Sequence, residues 1–245
     1  MPDILSHRDG DILRITLNRP EAGNAATDDM GREIKALLDA AHTMSRAVVL
    51  EGAGADFCIG RASMGVRPMQ QPEALERRRQ SDVVFDTYGA IRNCRVPVIC
   101  AVRGRALGFG CAVASVADMT IAADDAIFQI PEMEHRIMPT MVMSALVDRA
   151  TMKGLTYLVY SSEQVSAERA LHFGLVSDVV PAADLDKRVA RLCQKILDAP
   201  RPATEGVKEY IGRAMTMDTP SAVDFARNIH ALINSSSEMR APKKG

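Results

Sequence analysis

Apolar residues follow two patterns along the chain, a strict alternation near the start and short continuous runs further on. Leu13, Ile15 and Leu17 alternate with polar residues, which is typical of a half-buried strand. Asp9-Gly10 precedes this strand and is a turn signal, so the sequence predicts a β-hairpin at the start. Continuous apolar runs predict further, buried strands over residues 47–50, 96–102, 119–122 and 175–180.

The stretches between these runs have helical spacing. Thr27 is suited to cap a helix, and the apolar residues after it fall on one helical face. The spacing predicts further helices over 68–93, 111–117 and 166–173, with 104–110 as a glycine-rich turn. Strands that alternate with helices predict an α/β fold.

The pattern changes after Pro181, where helical spacing alone remains. Leu185, Val189, Leu192 and Ile196 mark one apolar stripe. We therefore predict a core domain over residues 1–182 and a helical segment over 183–245. Such a segment could be a subdomain or an arm for oligomerisation.

Composition narrows the class of protein. The chain has 245 residues, of which 47% are hydrophobic and 25% charged, as in an ordinary globular protein. Its 30 basic and 31 acidic residues give no basic field for nucleic acid or a membrane, and the lack of Trp argues against a base-stacking surface.

Targeting and metal signals are weak. We expect no secretory signal and no membrane span, because the N-terminus has no basic region followed by an apolar run and no apolar stretch approaches about 20 residues. Five cysteines without a CxxC pair predict reduced thiols and a cytoplasmic location. The scattered histidines predict no metal site.

Two glycine-rich loops, residues 52–64 and 102–112, each follow a predicted buried strand. They do not make a dinucleotide-binding fingerprint, because Phe57 stands where a third glycine is required. Glycines allow the backbone to approach a ligand closely, so two N–H groups could point at one oxygen as an oxyanion hole. One such donor contributes roughly 3 kcal/mol to transition-state stabilisation. The pattern alone favours two tight turns that bind nothing.

A carboxylate in an apolar setting follows about twenty residues later. Glu132 comes directly after Pro131 in the segment 128–135. Burial would raise its pKa and suit it to acid–base chemistry. A surface acid after an extended segment is the simpler interpretation of this residue alone.

Taken together, these segments resemble the crotonase superfamily, the enoyl-CoA hydratases and isomerases. The resemblance is collinear from about residue 10 to residue 182. It is carried by the segments 17–21, 47–60, 97–111, 126–132 and 170–176. It implies a ClpP-like spiral of ββα units in an α/β fold, with C-terminal helices that assemble the chain into a homotrimer or a hexamer made as a dimer of trimers.

The resemblance also implies a function on acyl-CoA thioesters, with coenzyme A as part of the substrate and no other cofactor. The backbone N–H groups of Arg61 and Phe109 would hold the thioester oxygen of an enolate. Family members often have small residues there, so these larger side chains would narrow or reshape the pocket. The implied substrate-binding residues are Ala22, Ile59, Arg61, Ala62, Ser63, Met64, Gly108, Phe109, Ala112, Pro131 and Thr140.

One departure from the family decides the preferred reaction. Hydratases of this family use two glutamates, and the first of the two positions holds Ala112 here, while the second holds Glu132. A single carboxylate can move a proton between two carbons of one enolate. The resemblance therefore favours isomerisation of a double bond by Glu132.

Three alternatives remain at this point. Glu134 and His135 lie within one turn of Glu132 and could replace the missing acid, His135 because histidine titrates near neutral pH. The enzyme would then be a hydratase, a lyase or a C–C hydrolase. The loss at Ala112 also fits a non-catalytic acyl-CoA-binding homologue, and a structural role for His135 is the commoner outcome for such a residue.

Overall fold

The computed structural model describes residues 1–64 and 73–240, which form strands and helices in alternation. The strands are β1 Ile4–Asp9, β2 Ile12–Leu17, β3 Ala47–Gly52, β4 Val98–Val102, β5 Arg105–Leu107, β6 Met119–Ala123, β7 Ile127–Gln129, β8 Val165–Ser166 and β9 Asp178–Val180. The helices are α1 Asp28–Met44, α2 Ala74–Asn93, α3 Phe109–Val116, α4 Thr140–Leu146, α5 Met152–Ser161, α6 Ala167–Phe173, α7 Leu185–Asp198, α8 Arg201–Ala214, α9 Thr219–Asn234 and α10 Ser237–Arg240.

The main sheet has six strands in the order β1-β2-β3-β4-β6-β9. β1 pairs with β2 in an antiparallel hairpin. The other neighbours in this sheet, β2-β3-β4-β6-β9, pair in parallel. A smaller sheet has the order β5-β7-β8. The predicted α/β fold and the predicted hairpin are both confirmed.

Both faces of the main sheet are buried, which explains its continuous apolar runs. Val48 and Leu50 of β3 belong to one core, together with residues of α1, α2 and α3. Ala47 and Val49 point the other way and pack in a second core that α7 completes. The period-two alternation of a strand thus supplies both cores from one run of residues.

Helix ends follow the sequence signals. The Thr27 hydroxyl accepts a hydrogen bond of 3.2 Å from the Met30 N–H, as expected of the residue that caps α1. Gly174 ends α6 in the left-handed conformation, with a φ of 85°. Both predicted ends are confirmed.

The prediction of a glycine-rich turn over residues 104–110 is wrong in part. Residues Arg105–Leu107 form β5, which pairs with β7, and α3 begins at Phe109 rather than Cys111. A strand of three residues has no detectable period, so the sequence could not reveal it. Phe109 is therefore the first residue of a helix, where its N–H has no partner within the helix.

The ends of several other strands and helices also differ from the predicted ones. β9 begins at Asp178 rather than 175, and β4 begins at Val98 rather than 96. The helix predicted over 68–93 is observed as α2 from Ala74, and its first predicted residues lie outside the described part of the chain. β7, β8, α4 and α5 had no counterpart among the predicted elements.

The helices after residue 182 do two different things. α7 covers one face of the main sheet, so it belongs structurally with the core although it lies beyond the predicted boundary. α8 is attached by a Lys208–Asp118 ion pair of 2.5 Å in which the lysine side chain is 8% exposed. A domain boundary at 182 remains a prediction. In the described residues, no helix is long and apolar enough to cross a membrane.

The close approach of α3 to residue 58 gives a stability prediction. A Cβ on Gly110 would lie 2.1 Å from the Cys58 carbonyl oxygen, whereas one on Gly212 of α8 would meet nothing within 4 Å. We expect Gly110→Ala to lower the free energy of unfolding by about 2 kcal/mol or more through overpacking. Gly212→Ala, the matched control, should raise it by roughly 0.5–1 kcal/mol. Urea denaturation measures both, and equal effects would contradict the proposed backbone contact.

Candidate active site

A cavity of 130 Å³ lies where the loop after β3, the start of α3 and helices α2 and α4 meet. Its lining includes Arg61, Met64, Tyr88, Phe109, Glu132 and Met138. A larger groove of 260 Å³ lies between α1 and α2, but it is lined mainly by charged side chains and by none of the predicted site residues. The smaller cavity is therefore the candidate active site.

The loop after β3 offers one backbone donor. Gly60 O accepts from the Ala26 N–H at 2.8 Å, and the Ala62 N–H donates to Ala26 O at 2.9 Å. The hydrogen bonds of Gly60 and Ala62 thus form a parallel bridge with Ala26. Arg61 lies between them, and in this geometry its own N–H points away from Ala26. In the described part of the chain this N–H has no hydrogen-bond acceptor.

The Arg61 side chain is engaged elsewhere. Its guanidinium forms an ion pair of 2.6 Å with Asp28, the first residue of α1. The charge of Arg61 is thus balanced at the edge of the cavity. In the described part of the chain, its backbone N–H therefore remains available to a ligand.

The second backbone donor is at the start of α3. Gly108 has a φ of +50°, which suits glycine, and its N–H donates to Gln129 O at 2.9 Å. The next residue, Phe109, leaves its N–H without an acceptor among the described residues. Arg61 and Phe109 both line the cavity, so the structure brings these two residues to one place.

Glu132 completes this arrangement. It opens a 3₁₀ turn, Glu132–His135, after Pro131 and is only 6% exposed, so it is not a surface acid. A Cβ on Gly108 would lie 2.7 Å from its Oε1, which places the carboxyl group over the turn that leads into α3. Its Oε2 is buried without a hydrogen-bond partner in the described chain. Burial raises the pKa of Glu132 above its ordinary value.

Tyr88 is a site residue that the sequence analysis missed. Its ring stacks on that of Phe109 with 5.6 Å between centroids, and its hydroxyl group is buried without a partner in the described chain. Burial, together with the charge of Glu132, raises the pKa of Tyr88 well above its ordinary value. Val84, Tyr88 and Ile91 have the spacing of a core-facing helical stripe, so nothing in the sequence distinguished this tyrosine from packing.

The other predicted substrate-binding residues divide by position. Ser63 and Met64 line the cavity, whereas Ala112 and Pro131 are buried and do not line it. Ala22, in the turn after β2, and Ile59, in the loop after β3, do not line it either, although the Ile59 N–H donates to Gly23 O at 3.0 Å. Ala62 and Thr140 are exposed.

The two candidates for a replacement acid lie outside the cavity. Glu134 and His135 are exposed, and neither lines it. Ala112 is fully buried in α3 and contributes no polar side chain. In the described part of the chain, Glu132 is thus the one carboxylate that faces the cavity. No group of three or more His, Cys, Asp or Glu in residues 1–64 and 73–240 could hold a metal ion.

Fold and cavity together define a class of protein, a crotonase-type α/β spiral with two uncommitted backbone N–H groups beside one buried carboxyl group. The family model described as enoyl-CoA hydratase/isomerase matches residues 7–245. The chain therefore belongs to the enoyl-CoA hydratase/isomerase family.

Individual relatives agree with this assignment. A short-chain-enoyl-CoA hydratase of Clostridium acetobutylicum is 29% identical over 91% of this chain and 86% of its own length. A 1,2-epoxyphenylacetyl-CoA isomerase of Escherichia coli is 29% identical over 98% of this chain and 93% of its own. The crystal structure of an enoyl-CoA hydratase of Mycobacterium smegmatis superposes with a TM-score of 0.91, at 28% identity, over 97% of this chain and 93% of that one.

The raised pKa of Glu132 has a consequence for stability. A carboxyl group whose pKa is higher in the folded state makes folding less favourable as the pH rises through that value. Glu132→Gln should therefore be more stable than the wild type at pH 8, on the order of 1 kcal/mol. The difference should shrink as the pH falls towards the ordinary range of a glutamic acid. Urea denaturation at several pH values measures it.

Glu134→Gln is the matched control, because Glu134 is exposed on the same 3₁₀ turn. We expect its stability to follow the wild type at every pH. A Glu132→Gln variant that is less stable than the wild type at pH 8 would contradict the burial argument.

Proposed function

We propose that the protein isomerises the double bond of an enoyl-CoA thioester, with Glu132 as the single acid–base group. The observation that carries the proposal is the isolation of Glu132, the one carboxylate lining the cavity in the described chain, buried and with an unpartnered oxygen. No group other than the coenzyme A of the substrate is required.

The proposed reaction balances with one carboxyl group. The N–H groups of Arg61 and Phe109 hold the thioester oxygen. Glu132 removes a proton from C2 of a 3-enoyl thioester, and the negative charge spreads onto that oxygen as a dienolate. Glu132 then returns the proton to C4, which leaves the double bond between C2 and C3. Both steps use a carboxyl group whose pKa is raised by burial.

Hydration places a further demand on the site. To add water across a double bond, one group must activate the water. A second group must be placed so that it can deliver a proton to C2. Ala112, at the position of the first glutamate in family hydratases, offers no such group. Among the relatives, one is named for an isomerase reaction and others for hydration, so membership of the family accommodates either reaction. The side chains of this cavity favour isomerisation.

Turnover of Glu132→Gln tests the proposal. General acid–base catalysis contributes about 10²–10⁴-fold, so we expect kcat for a 3-enoyl-CoA to fall roughly 100-fold or more, with thioester binding nearly unchanged. The assay follows formation of the conjugated 2-enoyl thioester by absorbance. Full activity of this variant would exclude Glu132 as the acid–base group.

Glu134→Gln and His135→Ala distinguish the alternatives. Both side chains are exposed and outside the cavity, so isomerisation by Glu132 predicts wild-type turnover for each. A hydratase, lyase or C–C hydrolase that uses either residue would lose activity in the corresponding variant. A non-catalytic homologue would bind thioesters in a broad screen and turn none over.

We also propose assembly into a homotrimer or a hexamer through the C-terminal helices. α8 and α9 leave large apolar side chains exposed although they pack on each other. These side chains are Val207 and Ile211 of α8, Val223 and Leu232 of α9, and Met215, which directly follows α8. A contact with another copy would remove such a surface from water. A cytoplasmic location is part of the same proposal, since the five cysteines are free, buried thiols.

Mass in solution tests the assembly. We expect sedimentation to give three or six times the chain mass of 26.6 kDa. Leu232→Glu places a charge on the exposed face of α9 and should produce monomers. Leu75→Glu on α2, at 69% exposure against 70% for Leu232, is the matched control and should leave the mass unchanged. A monomeric wild type would refute the proposed assembly.

A further inference from the structure

Two residues that line the same cavity each have a buried polar atom without a hydrogen-bond partner in the described chain. In the described chain, the buried side-chain N and O atoms that lack a partner are Arg46 Nε, Tyr88 OH, Glu132 Oε2 and Arg149 Nε. Of these residues, Tyr88 and Glu132 line the candidate active site, and the two arginines do not. The isomerisation proposed above uses Glu132 and leaves the Tyr88 hydroxyl group without a function.

The position of the Tyr88 hydroxyl is fixed by packing. The residue is 3% exposed, and its ring stacks on Phe109 at an interplanar angle of 28°. Its helix is attached to α1 beside it, where the Thr87 hydroxyl donates to Gly31 O at 3.3 Å. The ring therefore cannot carry the hydroxyl group out to solvent without breaking the core around α2.

An unpaired hydroxyl group at such a place is costly. A buried polar group without a partner costs roughly 1–3 kcal/mol, and phenylalanine would fill the same space without that cost. The cost is recovered if a bound ligand supplies an acceptor. Because burial raises the pKa of Tyr88, the group remains a neutral phenol that can donate its proton in a hydrogen bond at physiological pH.

The acceptor is not the thioester oxygen if the proposed function is correct. A carbonyl oxygen has two lone pairs, and the N–H groups of Arg61 and Phe109 would occupy both. Glu132 would remove the proton from one carbon and return it to another. An oxygen on the acyl chain, the part of the substrate next to the thioester, is the acceptor that we consider for Tyr88.

We propose that the Tyr88 hydroxyl group donates a hydrogen bond to an oxygen on the acyl chain, so that the site takes hydroxy- or oxo-acyl-CoA thioesters in preference to hydrocarbon chains of the same length. This inference rests on the proposed function, because it assumes a CoA thioester in the cavity. It makes Tyr88 a residue that determines substrate specificity.

The chemistry of recognition makes this preference strong. A site built to bind a substrate hydroxyl group rejects the analogue that lacks it, because the polar group of the protein is then left unpaired. An apolar site, by contrast, discriminates weakly against an added hydroxyl group. Replacing the tyrosine by phenylalanine should therefore remove the preference and leave the pocket shape intact.

Calorimetric binding of four-carbon thioesters tests the inference on the full chain. The probes are butyryl-CoA and its 2-, 3- and 4-hydroxy derivatives, with acetoacetyl-CoA as the oxo analogue. We expect the wild type to bind at least one oxygenated probe about tenfold or more tightly than butyryl-CoA. Tyr88→Phe should weaken that probe by roughly 10- to 100-fold and leave butyryl-CoA unchanged or bound more tightly.

Tyr157→Phe is the matched control. The Tyr157 hydroxyl group donates to Glu163 outside the cavity, and its ring packs on Phe173. We expect all five affinities of this variant to equal those of the wild type.

The contrary outcomes separate this inference from the proposed function. Equal affinity of the wild type for butyryl-CoA and every oxygenated probe would overturn the inference alone. Equal weakening of all probes by Tyr88→Phe would assign the hydroxyl group to the thioester oxygen and would also overturn it. Absence of binding by every thioester would overturn the proposed function and this inference with it.

Discussion

The geometry of the site depends on one close contact between backbones, the approach of the turn into α3 to the strand segment at Cys58. The Cys58 N–H donates to Arg105 O and the Leu107 N–H donates to Cys58 O, which joins the two loops by backbone hydrogen bonds. Gly110 then lies so near the Cys58 carbonyl group that no Cβ fits between them. This contact fixes the first turn of α3 against the loop that carries Arg61. Two loops separated by about fifty residues in sequence are thereby held as one unit.

The same compactness determines the chemistry of Glu132. The carboxyl group lies against Gly108, where again a side chain would collide, and the surrounding wall is mostly apolar. The carboxyl group is buried there, so its charged form is disfavoured and its pKa rises. The buried, unpaired carboxyl group makes the fold less stable, and in our proposal it is the group that takes up and releases the proton.

Sequence patterns predicted the frame of the molecule better than its site. The alternation of Leu13, Ile15 and Leu17 and the cap at Thr27 depend on local physics, and both appear where expected. β5 was missed because three residues between glycines carry no period. Tyr88 was missed for a different reason, since an unpaired hydroxyl group is a property of the packed core and a helical stripe looks the same with tyrosine or phenylalanine. Glu132 was a candidate from its setting after Pro131, but a surface acid was the simpler interpretation until the family resemblance was considered, because burial of one acid has no local signature.

Large residues stand at the two positions where we propose backbone donors. The Arg61 guanidinium pairs with Asp28, and the Phe109 ring stacks on Tyr88. Neither side chain therefore changes the position of the N–H group of its own residue. The proposed donors do not depend on the identity of the side chain, because they belong to the main chain. The side chains nevertheless alter the walls of the cavity. Phe109 holds the Tyr88 ring in place, and the departure from a small residue at position 109 thus supports the polar group that, in our proposal, selects the acyl chain.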